Sequence, residues 1–339
     1  MTTAGAVRLS IAMCTYNGQR HLPAQLESIV AQSRPPDEMV VRDDGSHDGT
    51  PALLEQFKAT APFPVTLELD RRRVGSTAGF GEVVGRCTGD VIALADQDDV
   101  WLPDKLATVR GAFESDPQLT MLFHDSTVVS KTGRLLHPSV WWLNDFRRRR
   151  RAAFEADPLR ALLSRPFCSG STIAFRRGAT RVLLPFPDVL RDSSAPMMHD
   201  HWISLVLAAL GGVVALDRPL IDYRRHPDQQ IGIPWYHMRR VLPPSFWGLR
   251  ELTVSRSRRD RRLSSLSLQL AALTDRLEAE GTTSPVGDQI AEYRAHLAAR
   301  VALPRARIRR VRAIRDESRT GRYRAFSHGA LTAVADLVR

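Results

Sequence analysis

The stretch Val91 to Leu106 reads VIALADQDDVWLPDKL. Its first five residues are an unbroken apolar run, the pattern of a strand buried on both faces. Three carboxylates follow within four positions, Asp96, Asp98 and Asp99, with Gln97 between them. Pro103 then opens a helix whose apolar positions Leu106, Val109 and Phe113 recur at helical spacing. The same order of strand, polar turn and helix occurs twice upstream. Arg8–Met13 runs into Thr15-Tyr16-Asn17-Gly18 and then the apolar face of Leu22, Leu26, Ile29 and Val30. Met39–Val41 runs into Asp43-Asp44-Gly45-Ser46, and Pro51 starts a helix carrying Leu53, Leu54 and Phe57. With further strands at Val65–Leu69 and Thr120–Phe123, this alternation predicts an α/β fold with a mostly parallel, Rossmann-like sheet flanked by helices.

In such a sheet the carboxyl ends of the strands share one edge, where ligands bind. The three polar clusters therefore face a common crevice. The acids after Val91–Ala95 exceed what complementing the next helix dipole requires, although that simpler role stays open. They suit a hard divalent cation, Mg²⁺ or Mn²⁺, that keeps coordination places for phosphate oxygens. Asp43-Asp44-Gly45-Ser46 is either an Asx turn or part of the same site. Downstream, Met198-His199-Asp200-His201-Trp202 leads into an apolar helix, Trp202–Leu210. Adjacent helical residues diverge, so zinc is disfavoured there. Asp200 reads as an N-cap or as a general base for a hydroxyl. Between Val128 and Arg225 the pattern is less regular: Val213–Leu216 and Leu220–Arg224 read as two short strands, and Arg147–Arg151 as a surface helix or loop.

At 339 residues, 43% hydrophobic and 25% charged, the chain excludes a disordered polymer. Cys14, Cys87 and Cys168 match no zinc spacing and are expected as reduced thiols of a cytoplasmic protein. The apolar run Ile203–Leu216 is too short to span a bilayer, and no secretory signal opens the sequence. Charge divides the chain sharply. Residues 1–237 hold 27 basic and 27 acidic side chains, whereas residues 238–339 hold 21 Arg, no Lys and 10 acids, the whole of the net +11. The prolines between Trp235 and Pro244 strengthen that boundary. We thus expect a catalytic region at 1–237 and a basic helical region at 238–339. Leu263, Leu266, Leu270, Leu273 and Leu277 form a stripe on one helix, and Ser284-Pro285 caps a second. The pair is expected to pack on the first domain or on a second copy, as a homodimer. A basic surface of this kind suits an anionic membrane, nucleic acid or an acidic partner.

These motifs together resemble family 2 glycosyltransferases of the GT-A fold. SIAMCTYNGQRHLPAQLESIVAQSRPPDEMVVRDDGSHDGT (residues 10–50) resembles the family's opening, and ADQDDVWLPDKL its DxD-containing strand end and helix. FCSGSTIAFRR (residues 167–177) is similar to the stretch before the acceptor site, MHDHWISL to the base-bearing segment, and LIDYRRHPDQQIG to the closing motif. The likeness leans to a rhamnosyltransferase-like branch and covers residues 8–233. It implies a nucleotide site of Thr15, Tyr16, Asn17, Asp44, Asp96 and Gln97, in which Tyr16 stacks on the base, Asp44 accepts a base N–H and Asp96 approaches the ribose. Asp98 and His226 would hold Mn²⁺ or Mg²⁺ on the diphosphate, Asp200 would be the base, and Gly170, Ser171 and Trp202 would meet the acceptor. The implied reaction is inverting sugar transfer from a UDP- or dTDP-sugar to a saccharide or lipid-linked acceptor in cell-envelope synthesis. In GSTAGFGEV, Gly79 stands where relatives often carry Asn, so donor contacts from this loop and from Arg71–Arg73 do not transfer. Two competing readings are a nucleotidyltransferase, which would carry a Gly-rich basic phosphate loop where this chain has CTYNGQ, and an arginine-rich nucleic-acid binder, which leaves the acids without a role.

Overall fold

The computed structural model describes residues 6–192, 195–227, 229, 255–282 and 285–338. The expected domain boundary near residue 237 and the capping Ser284 lie outside these residues. The amino-terminal half alternates strand and helix: β1 (Leu9–Thr15), α1 (Leu22–Val30), β2 (Glu38–Asp44), α2 (Thr50–Thr60), β3 (Val65–Asp70), α3 (Ser76–Arg86) and β4 (Val91–Ala95), of which only α3 was not expected. Then come β5 (Val100–Trp101), α4 (Lys105–Ser115), β6 (Met121–Ser130), β7 (Leu135–His137), α5 (Val140–Leu143), α6 (Arg148–Ala156), α7 (Pro158–Ser164), β8 (Ile173–Arg176), α8 (Thr180–Leu183), α9 (His199–Leu210) and β9 (Val213–Arg225). The tail holds α10 (Arg256–Ala279), α11 (Val286–Val301), α12 (Arg307–Arg319), α13 (Arg322–Phe326) and α14 (Ala330–Val338).

The sheet order is β3-β2-β1-β4-β8-β6-β9-β5, with β7 beside β6. β1 pairs in parallel with β2 and β4, and β2 with β3, so the three polar clusters share one edge. The sheet is more mixed than expected. β8 runs antiparallel to both β4 and β6, and β5 antiparallel to β9. Four-residue β8 and two-residue β5 were too short to register as strands in the sequence pattern. The two segments read as separate strands form a single β9, whose register against β6 shifts beside Pro219, a residue that cannot donate to the ladder.

Strand period two divides the core. Leu9, Ile11, Met13, Met39, Val41, Val91, Ala93 and Ala95 pack on α1 and α4 beneath one face. Ala12, Val40, Ile92 and Leu94 face the other side, where Phe80 of α3 and Trp202 and Leu205 of α9 meet them. That second cluster continues into the tail through Leu263, Leu270, Leu273, Leu277, Ile290 and Leu297. The leucine stripe is therefore occupied inside the chain, which removes it as a contact with a second copy. Polar ties reinforce the docking: Arg276 donates to the carbonyls of Val182, Leu184 and Pro185, each at 2.8 Å, and Gln269 to Ala195 at 2.6 Å.

Candidate active site

At the carboxyl edge of β1, Thr15 donates to Asp43 at 2.8 Å, and Asp43 also accepts the Ser46 backbone N–H at 2.8 Å and its hydroxyl at 2.6 Å. Asn17 takes a left-handed φ of 46°, a conformation that Asn tolerates better than most residues, and its side-chain Oδ1 accepts the His47 N–H at 2.9 Å. Gln97 bridges the β1 and β4 ends, accepting from the Tyr16 N–H at 2.9 Å and donating to the Tyr16 carbonyl at 3.0 Å. The polar side-chain groups of Thr15, Asn17 and Gln97, expected at the nucleotide site, hold these loops to one another. A Cβ at Gly18 would lie 2.4 Å from Gln97 Oε1, so a larger residue there would displace the Gln97 amide from this bridge.

Two nucleotide candidates meet the loop after β3. Arg73 stacks its guanidinium 3.9 Å above the Tyr16 ring. Asp44 accepts the N–H groups of Val74 at 2.7 Å and Gly75 at 2.8 Å, pinning the same loop. The face of Tyr16 expected to stack on a base is thus covered by Arg73, a pairing the sequence could not show because the two residues are brought together only by the β2–β3 pairing.

The acids after β4 gather around a lysine that the sequence reading passed over. Lys105, 1% exposed, donates from Nζ to the Ser171 carbonyl at 2.7 Å and sits 3.6 Å over the Trp101 ring. Burial pulls its pKa down while the charges of Asp99 and Asp96 push it back up. Asp96 is held well above the usual carboxylate range by burial and then by the charges of Asp98 and Asp200, with Lys105 opposing. Asp99 is raised by burial and by Asp98 and Asp96. The only sequence signal for Lys105 was its place at the start of a helix following three acids.

Asp200 lies in the first turn of α9. Its Oδ2 accepts the Gly170 N–H at 3.1 Å and its Oδ1 the His201 N–H at 2.7 Å. Burial pushes its pKa up to about 6. Gly170 is hemmed in, since a Cβ would lie 2.9 Å from His199 Nε2. That imidazole is itself stacked 3.8 Å from the Phe80 ring. His201 turns instead to the Leu162 carbonyl at 3.3 Å, so the two histidines flanking Asp200 diverge. Trp202 corrects the expectation of an acceptor contact: it is fully buried and donates its indole N–H to the Leu183 carbonyl at 3.2 Å. Two residues beyond Asp200, position 202 lies about 200° around the helix, on its core side. Ser171 is also fully buried and acts through its carbonyl on Lys105.

Beyond β9 the chain folds back over the acids. Arg224 donates from Nε to the Asp98 carbonyl at 3.0 Å, and His226 Nε2 lies 2.8 Å from Asp98 Oδ2. His21, 7% exposed and unremarked in the sequence, places its ring 4.3 Å from that of His226. Among the described residues no group of three or more His, Cys, Asp or Glu converges on one ion. Asp98 Oδ2 and His226 Nε2 are in direct contact at 2.8 Å, which leaves one carboxylate oxygen and one imidazole nitrogen side by side. Two such donors fit Mn²⁺ or Mg²⁺ whose remaining places go to phosphate and water.

The fold and this edge define a nucleotide-sugar-transferase-like α/β architecture of the GT-A type. The model of Glycosyl transferase family 2 matches residues 10–184, and the chain belongs to that family. An uncharacterized protein of Mycobacterium tuberculosis is 27% identical over 223 residues, 64% of this chain and 59% of its own length. The chain thus spans about three-fifths of that relative. The glucosyl-dolichyl phosphate glucuronosyltransferase of Haloferax volcanii is 26% identical over 113 residues, 33% of this chain and 36% of that one. Among solved structures, S. aureus TarS superposes with a TM-score of 0.53 at 16% identity, covering 92% of this chain and 55% of TarS. Its 1–349 fragment in complex with UDP gives 0.50 at 14% identity, covering 97% of this chain and 89% of the fragment. These likenesses establish the fold.

Proposed function

We propose that the chain is an inverting glycosyltransferase that moves a sugar, rhamnose in our reading, from a UDP- or dTDP-linked donor to a hydroxyl of a saccharide or lipid-linked acceptor. The observation that carries this reading is the shared electrostatic space of Asp200 and the Asp96–Asp98 pair: a buried, backbone-oriented base beside acids suited to a cation-bound diphosphate. The TarS fragment binds UDP and the Haloferax relative acts on a dolichyl phosphate sugar, which supports a nucleotide donor and a lipid-linked acceptor by analogy.

In this reading Asp200 accepts the proton of the acceptor hydroxyl. The acceptor oxygen forms a bond to the anomeric carbon from the face opposite the diphosphate. The bond from that carbon to the phosphate oxygen breaks, and its electron pair leaves with the nucleoside diphosphate. Asp98 and His226 hold Mn²⁺ or Mg²⁺, which when bound offsets leaving-group charge by several kcal/mol. Tyr16 offers its ring to the base once Arg73 moves aside, and Asp96 faces the ribose.

Calorimetric titration of UDP, dTDP and GDP, with and without Mn²⁺, tests the donor site. The expected result is Mn²⁺-dependent binding of one nucleotide that Asp98→Ala abolishes. Binding of no nucleotide, or binding indifferent to both Mn²⁺ and Asp98, would overturn the proposal.

A further inference from the structure

Much of the arginine excess of the tail is spent inward. Arg259 donates to Asp336 at 2.9 Å and Arg300 at 2.8 Å, and Tyr323 adds a third bond to the same buried carboxylate at 2.8 Å. Arg276 is held by backbone carbonyls of the catalytic region. The arginines of α12 behave differently.

One side of α12 is clamped. Arg310, Ile314 and Glu317, spaced four and three residues apart, are buried. Arg310 donates to the carbonyls of Pro304 at 2.8 Å, Arg305 at 2.6 Å and Leu337 at 3.3 Å, and Glu317 meets His296 at 2.7 Å. This fixes the helix in rotation and turns the opposite side permanently to solvent. That outer side carries Ile308, Val311, Arg312 and Arg315 at i, i+3, i+4 and i+7, one continuous stripe. Ile308 is 87% exposed and Val311 47%. Arg305, Arg307 and Arg309 are exposed around them. Among the described residues none of these five arginines (305, 307, 309, 312 and 315) is paired with a carboxylate. The one outward acid, Asp316, is engaged by Arg319 at 3.7 Å. The neighbouring α14 adds exposed Val334 at 50% and Val338 at 63%.

The geometry points to the outer face of α12 as a docking surface for an anionic lipid bilayer, lying in the headgroup plane. Charge complementarity selects an anionic partner. The apolar pair within the cationic stripe selects the partner's form. Ile308 and Val311 gain nothing from a phosphodiester strand, but they enter the boundary between headgroups and acyl chains when the helix lies flat. Among the described residues no helix is long and apolar enough to cross a membrane, so the contact is lateral. The inference stands apart from the sugar-transfer reading, because none of its residues borders the acid cluster.

Flotation of the full chain with phosphatidylcholine vesicles, with and without phosphatidylglycerol, tests it. Wild type should float only with phosphatidylglycerol, and less as salt rises. Arg312→Gln/Arg315→Gln should weaken binding roughly thirtyfold, at about fivefold per basic side chain. Ile308→Ser/Val311→Ser, which leaves the charge unchanged, should weaken it at least severalfold. All four positions are solvent-facing, and unchanged melting temperatures confirm that folding is intact. Absence of flotation by wild type overturns the proposal. So does undiminished binding by the serine variant together with equal affinity for a single-stranded RNA oligonucleotide, which would mark a phosphate-backbone reader.

Discussion

Replacing Asp200 with Asn separates two consequences of burying a base. A positioned general base contributes about 10²–10⁴-fold to rate, or roughly 3–5 kcal/mol of barrier. Transfer by Asp200→Asn should fall by that factor while nucleotide affinity stays near wild type, because Asp200 touches the Gly170 and His201 N–H groups rather than the loops around Tyr16. Stability should move the other way. Burial lifts the carboxyl from the 3.8 of an exposed aspartate to about 6, so the native state binds this proton more tightly than the unfolded chain. The penalty is absent below the unfolded pKa, grows as pH rises toward 6 and is constant above it, reaching about 3 kcal/mol. Asn removes that penalty but turns its NH₂ toward one of the two backbone donors, which costs about 1–3 kcal/mol. The variant should therefore be no less stable than wild type at pH 8 and less stable at pH 4. The assays are kcat/KM against pH and urea unfolding at both pH values. Wild-type kcat/KM should drop tenfold per unit below about pH 6. An acid limb surviving in the variant at the same position, or wild-type transfer rates, would refute the assignment of the base.

Lys105→Met should lower unfolding free energy by about 3–5 kcal/mol, since it strands Asp96 and Asp99 without their buried cation; a urea-measured loss below about 1 kcal/mol would show that the acids are already neutral in the wild type. Leu270→Ala, at a position 1% exposed within the core shared by the tail and the sheet, should cost about 2–5 kcal/mol. Unfolding should remain a single transition by both tryptophan fluorescence and far-UV circular dichroism, and two separated transitions would mean that the tail folds on its own.

Most strands and helices of residues 9–115 were legible because period-two and helical apolar patterns coexist there with turn residues at each junction; α3, glycine-rich over Ser76–Arg86, and two-residue β5 were not. Burial of β4 on both faces wrote itself as VIALA, and the three polar turns, two of them acid-bearing, announced the ligand edge. What escaped were features fixed by distance in sequence. The antiparallel insertion of β8 depends on partners over 50 residues away, and a four-residue strand carries too little pattern to reveal it. Trp202 follows a base candidate in the sequence but points into the core, because two residues along a helix turn it about 200° away from Asp200. Gln97 sits between metal-like acids and serves as a backbone bridge. The leucine stripe was read correctly as an apolar face, yet its partner, the helix side of the sheet, could be found only in three dimensions.

Lys105 shows why the donor and acceptor halves of this edge are not independent. Its ammonium moderates the charges of Asp96 and Asp99 and hydrogen-bonds the Ser171 carbonyl, while the preceding residue, Gly170, presents its N–H to Asp200. A change in charge on the acid cluster is therefore felt at the turn that aims the base. The link uses a single peptide unit and a buried side chain, both with little freedom to relax. Neutralising the acid cluster with a cation-bound diphosphate reduces the pull on Lys105 and leaves its bond to Ser171 as the dominant tie. Under the proposed sugar-transfer reading, the occupant of the donor side would thereby act on the turn that holds Asp200, favouring proton removal from the acceptor where a leaving group is already in place.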